Sequence, residues 1–198
     1  MIAPTRPSEG DLRLQFTPAT AAQRSLIYQQ LCVAFSYPDS ECESGLALPD
    51  RATNAGTVFL DAFDPGVSSR ACSLHETDHC GTERTALFEE LLRFYSYFGL
   101  ARAATSELPD HLTVQLEFLH FLSFLQHRTE QKGDSAAHII CAQYDFLTRH
   151  LLRLARGIVA TFNCDDRHYA ALVAVLGQFV EEEFLQLGSE RAGSLNRS

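Results

Sequence analysis

The chain has 198 residues, 45% of them hydrophobic and 21% charged, with a formal net charge of −9 and a pI near 5.3. That length fits one domain with a core large enough to fold without staples, and the composition excludes a wholly disordered or fibrous protein. The acidic balance argues against a nucleic-acid partner, whose phosphates need a cationic surface, and favours a basic partner such as a cationic peptide.

In chain order, residues 1–17 read as a flexible tail. A first helix is predicted from Thr20, where Thr20-Ala21-Ala22-Gln23 resembles a capping box, with Ile27, Leu31, Ala34 and Phe35 on one face and Tyr37-Pro38 ending it. A polar loop from Pro38 to Ala55 leads to a short helix over Thr57–Phe63. A second loop, Asp64–Gly81, holds the sequence Cys72-Ser73-Leu74-His75-Glu76-Thr77-Asp78-His79-Cys80. The next helix is predicted from about Thr82 to Phe98, with Gly99 closing it in the C′ role.

The stretch around which the rest is organised begins at Glu107-Leu108-Pro109-Asp110-His111-Leu112. Pro109 suits a first helical turn and Asp110 places negative charge among unpaired N–H groups, so a helix is predicted from Pro109 to about Glu130. Its apolar positions cover more than one face, which is the pattern of a central helix packed against several neighbours. Steps of three or four residues from Asp110 reach Thr113, Glu117 and His120, a polar stripe that needs either core partners or a function. Lys132-Gly133 stops this helix and Asp134 can cap the following one, whose seam runs Ile140, Tyr144, Leu147, Leu151, Leu154, Ile158 and Phe162, with Gly157 as a late break. The last helix is predicted from Asp166 to about Leu187, ended by Gly188, with 188–198 as a second tail. Its run Glu181, Glu182 and Glu183 reads as a solvated face. No stretch alternates with period two, so the fold expected is all-α, a single-domain bundle of about six or seven helices over 18–187.

Six cysteines show no paired C-x-x-C arrangement and read as reduced thiols. The N-terminus lacks an apolar core and a twin-arginine pair, and no run of eighteen apolar residues occurs, so the expectation is a cytoplasmic protein without stable membrane insertion. Nucleophile elbows and phosphate-binding loops are absent from the sequence, which leaves no support for an enzyme and gives no cofactor to expect. Cys72, His75, His79 and Cys80 bring four borderline ligands within nine residues. A metal-binding or redox-sensing module on that loop is the alternative reading, although adjacent His79 and Cys80 would have to turn toward one ion.

Pro109-Asp110-His111-Leu112 with Leu116-Glu117-Phe118-Leu119 resembles the signature of the TorD/DmsD/NarJ chaperones, which mature molybdenum-containing oxidoreductases. Cys72–His79 resembles a variant of that family's second motif loop, with His75 and His79 where tyrosines are usual and Ser73 and Leu74 in place of paired prolines. Leu87–Leu100 and Ala142–Leu151 are most similar to the branch serving ethylbenzene and dimethylsulfide dehydrogenases and selenate and chlorate reductases. The resemblance implies a non-enzymatic, cytoplasmic chaperone, monomer or homodimer. It would bind the apo catalytic subunit of a DMSO-reductase-family enzyme, including its twin-arginine leader, until molybdenum cofactor is inserted. It implies a recognition site of Asp110 and His111, with Glu76 next and Leu108, Pro109, Glu117, His75 and His79 around them, and no metal ligands.

Overall fold

Helix α1 (Ala21–Ala34) starts where its capping box predicts: Thr20 accepts from the Gln23 amide while the Gln23 side chain returns to the Thr20 amide. It lies along α5 (Leu112–Gln131), the central helix. A computed structural model of the chain describes residues 20–38, 44–101 and 107–195, and the tail read at 1–17 lies outside them. Between these two helices the chain adds α2 (Ala55–Phe63), a single turn α3 (Thr77–Cys80) and α4 (Arg84–Tyr97). After α5 come α6 (Ala137–Phe146), a π turn (Leu147–Leu151), α7 (Leu152–Thr161) and the long α8 (Arg167–Leu195). The all-α bundle expected from the sequence is therefore what forms, with one isolated bridge, His75 to His111, among the described residues.

Aromatic side chains knit the bundle at two ends. Tyr95 and Phe118 meet at 4.9 Å and Phe118 and Phe146 at 4.7 Å, which seats α4 across α5 and α6. Phe63 lies 5.3 Å from Tyr169 and 5.6 Å from Phe162, which seats α2 over the α7–α8 corner. Of these, Tyr95–Phe118, Phe118–Phe146 and Phe63–Tyr169 meet edge to face, a geometry that adds about 0.5–1.5 kcal/mol each beyond burial.

Four expectations change. Helix α5 starts at Leu112 with His111 as its N-cap, so Pro109 and Asp110 form the turn before it rather than its first residues. Asp134 does not cap α6, whose N-cap is Ala136. Gly157 does not interrupt α7; a Cβ there would lie 2.6 Å from the Cβ of His79, so the glycine lets the α3 turn press against the helix. Gly188 does not end α8, which continues to Leu195 because Glu190 is tied to Arg24 and Arg191 faces Asp145. At the two glycines, tertiary partners outweigh a local preference of about 1 kcal/mol or less.

Candidate functional site

The two motif loops meet edge to edge. The Leu112 amide donates to the Leu74 carbonyl at 2.8 Å and the Glu76 amide to the Asp110 carbonyl at 3.0 Å, giving a short antiparallel bridge between residues thirty-six apart, His75 and His111. The Pro109-Asp110 turn is closed by the His111 amide on the Leu108 carbonyl, 3.0 Å, and clamped from α4 by Tyr95 Oη donating to the Pro109 carbonyl, 2.8 Å.

Asp110 is 1% exposed and points into the facing loop. It accepts from the Thr77 amide at 3.2 Å, from Thr77 Oγ1 at 2.7 Å and from His75 Nδ1 at 3.1 Å. Its charge thus caps α3 rather than α5, its own neighbour in sequence. Burial works against ionisation of Asp110, but the hydrogen bonds from His75 and Thr77 outweigh it and hold the carboxyl below its ordinary value. The same hydrogen bond to Asp110 raises His75 above the ordinary histidine range. His111 moves the other way, pushed down to about 4 by burial and then by the charge of His75. Its Nδ1 accepts from the Thr113 amide at 3.3 Å, so the neutral ring carries its proton on Nε2. The site therefore presents one imidazole disposed to charge and one disposed to stay neutral, with centroids 4.9 Å apart.

Glu76 lies out of reach of the surface. It is 0% exposed, with Oε2 accepting from Gln115 Nε2 at 2.7 Å and lying 3.2 Å from His150 Nδ1. His79 is likewise committed inward, its Nε2 donating to the Ser73 carbonyl at 2.8 Å. Leu108 is half-buried, Pro109 is buried and Glu117 is exposed. The polar stripe read on α5 lies toward the surface: His120 is satisfied by Ser25, whose Oγ and carbonyl are 2.9 and 2.8 Å from its Nδ1. The polar line that enters the core is a different one, Gln115, Ser123 and Gln126.

From this bridge a groove of about 460 Å³ runs between α4 and α5, floored by Pro109, Phe118 and Phe121 and flanked by Leu92, Leu100 and Phe124. Leu92 and Phe124 are 42% and 48% exposed, an apolar surface left open to solvent. Glu107 and Glu117 line the same groove. An apolar trough with carboxylates at its edge can take an apolar segment that carries cationic side chains.

The alternative ligand loop does not converge. Cys72 Sγ turns inward to Thr161 Oγ1 at 3.2 Å, His75 is taken by Asp110 and His79 by the Ser73 carbonyl. Among the described residues no group of three or more His, Cys, Asp or Glu side chains is disposed to hold a metal ion.

Sequence reasoning missed His150, Gln115, Arg24 and Glu183. Glu183, read as part of a solvated face, is 2% exposed and pairs with Arg24 Nε at 3.1 Å. A signal for Arg24 was present: it falls on the same face as Ala21, Tyr28 and Leu31, all buried.

Comparison with known proteins follows the same lines. Residues 46–160 match a family model described as nitrate reductase delta subunit. The chain is 33% identical over 171 residues to a selenate reductase assembly chaperone from Thauera selenatis, covering 82% of this chain and 89% of that protein. It is 31% identical over 173 residues to a chlorate reductase assembly chaperone from Ideonella dechloratans, with the same coverages of 82% and 89%. A perchlorate reductase assembly chaperone from Dechloromonas aromatica is 35% identical over 140 residues, 67% of this chain and 62% of that one.

Proposed function

This chain belongs to the nitrate reductase delta subunit family, and on that premise we propose that it is an assembly chaperone for the catalytic subunit of a molybdenum oxidoreductase. It works by binding rather than by catalysis, in the cytoplasm, on the apo subunit before cofactor insertion and export. The observation that carries this reading is the continuity of the His75–Asp110–His111 bridge with the α4–α5 groove through Pro109.

The groove suits the apolar run of a twin-arginine leader, with its arginines at Glu107 and Glu117. Each Leu or Phe covered on docking contributes about 1.5–3 kcal/mol gross, much of which is spent on ordering the peptide. Arginine against an exposed carboxylate adds less affinity than orientation, since such pairs are solvent-screened. Asp110 and His75 are placed to hold the loop that walls the groove, and the Nε2–H of His111 is available as a donor to a client carbonyl. Leu108 supports the same turn. Glu76 and His79 belong to the site as its scaffold, not as contacts.

The test is co-expression of the tagged chain with the catalytic subunit encoded nearest to it, in cells blocked in molybdenum cofactor synthesis. The expected result is a stable complex that dissolves when cofactor synthesis is restored. Absence of any complex in the blocked cells would overturn the proposal.

A further inference from the structure

Glu76 has no access to solvent, yet its backbone is one half of the bridge to Asp110. Its carbonyl also accepts from the His79 and Cys80 amides, at 3.0 and 3.1 Å, so the α3 turn that Asp110 caps hangs from the same residue. A displacement of Glu76 would move the bridge and the turn together.

What stands beside the carboxyl at that depth is an amide and an imidazole. Gln115 supplies one neutral donor, at 2.7 Å, and His150 Nδ1 lies 3.2 and 3.3 Å from the two oxygens. His150 is itself buried, with Phe94 edge-on at 5.6 Å and Phe146 at 5.1 Å. Its other nitrogen, Nε2, is 3.4 Å from Glu90 Oε1 of α4, and Glu90 in turn pairs with Arg149. The ring thus has a carboxylate oxygen near each nitrogen, hydrogen-bonded at Nδ1 and only within ion-pair distance at Nε2. It sits in the π turn that joins α6 to α7, a departure from α geometry of the kind found where a helix is adapted to a task.

We infer that His150 is the positioning residue of the client face: clamped between Glu76 and Glu90, it compensates the buried carboxylate and thereby fixes the bridge between His75 and His111. The inference rests on the chaperone reading for the meaning of that face. The charged and titratable groups facing His150 are Glu76 from the motif loop, Glu90 from α4 and the adjacent Arg149. Tyr95 stands within electrostatic range of Glu76. Removing the imidazole leaves Glu76 buried without its basic partner, and relief comes by protonating the carboxyl or by pulling the loop toward water. A neutral residue at 76 removes the need for His150.

The experiment compares wild type, His150→Gln and the double variant Glu76→Gln/His150→Gln. Two quantities are read: the titration of His75 by NMR in the free protein, and affinity for the twin-arginine leader peptide of the catalytic subunit encoded nearest to this chain. His150→Gln is expected to lose the upward displacement of the His75 titration and to weaken leader binding at least tenfold, and the double variant to recover both. An unchanged His75 titration in His150→Gln, or a double variant as impaired as the single one, would overturn the inference. Should His150→Gln fail to fold, folding of the double variant supports charge compensation and its failure overturns it. A His75 response as expected, in a protein that binds no leader, would uphold the positioning role while sinking the leader reading.

Discussion

Two buried ionic clusters, built from similar parts, serve different ends. At one end of α5, Arg24 of α1 reaches Glu190 at 2.8 Å, Gln126 at 2.7 Å and Glu183 at 3.1 Å, while Tyr28 donates to Glu183 at 3.2 Å. At the other, His150 stands between Glu76 and Glu90 with Gln115 completing the shell. Each sets one basic side chain against two carboxylates and ties together elements distant in sequence. The Arg24 cluster joins α1, α5 and α8, and its cation is a guanidinium that cannot lose its proton. The His150 cluster is joined by the Glu76 backbone to Asp110, and its basic group is an imidazole. The contrast teaches that burial of charge does not by itself mark function. What marks it is the connection of the buried group to an open surface.

Removing Arg24 should have the largest effect on the fold and almost none on recognition. Burial already raises Glu183, against the pull of Arg24, so Arg24→Met would strand it among apolar neighbours. We expect a loss of about 3–5 kcal/mol in chemical denaturation. Leader affinity of the folded fraction should stay within about twofold of wild type, since the cluster does not reach the groove, and Arg24→Met/Glu183→Leu should recover most of the stability. A large loss of affinity in Arg24→Met would erase the distinction between the clusters.

Asp110→Asn should cost less stability and more function. It removes the charge that accepts from His75 and Thr77, for about 1–3 kcal/mol. In pH terms, His75 is raised in the folded state, so its contribution is present below the unfolded histidine value and fades as pH rises through the folded one. Asp110 is lowered, so its contribution is present above the unfolded carboxylate value and fades as pH falls through the folded one. Stability in the wild type should therefore carry a contribution from this pair that declines at both limits, and Asp110→Asn should abolish it, as urea denaturation across pH would read.

His111 gives the smallest and sharpest effect. Its folded value of about 4 lies below that of the unfolded chain, so between about 6.5 and 4 the unfolded state binds more protons and stability is lost as the pH drops. Asparagine is a strong N-cap, so His111→Asn should keep the α5 start and flatten this slope while leaving neutral-pH stability within about 0.5 kcal/mol. A slope unchanged in His111→Asn would assign the acid sensitivity elsewhere.

The helices were legible because their apolar periods and punctuation are local. Thr20 and Gln23 specify the start of α1 between themselves, and Gly99, at φ 74°, does close the turn after α4. The family resemblance implied one site drawing on both motif loops, but not that their backbones pair at His75 and His111. The orientation of α5 was not legible, because a helix apolar on most sides does not say which of its polar lines faces inward: Glu117 proved exposed and Gln115 buried. Glu183 was misread for a related reason. A run of three glutamates looks solvated until its partner is known, and Arg24 lies at the other end of the chain. That Glu76 lies fully buried was not legible either, since sequence gives no measure of depth.

The central claim is that the groove beside the Asp110 turn receives a client segment that is apolar and cationic. The direct measurement is calorimetric titration with the twin-arginine leader of the nearest-encoded catalytic subunit, against wild type and Phe124→Asp, and with both leader arginines changed to alanine. Binding to wild type that falls at least tenfold with Phe124→Asp, at a stability change within about 0.5 kcal/mol, and that weakens without the arginines, is the expected result. Equal binding by Phe124→Asp, or by the leader without arginines, would contradict it.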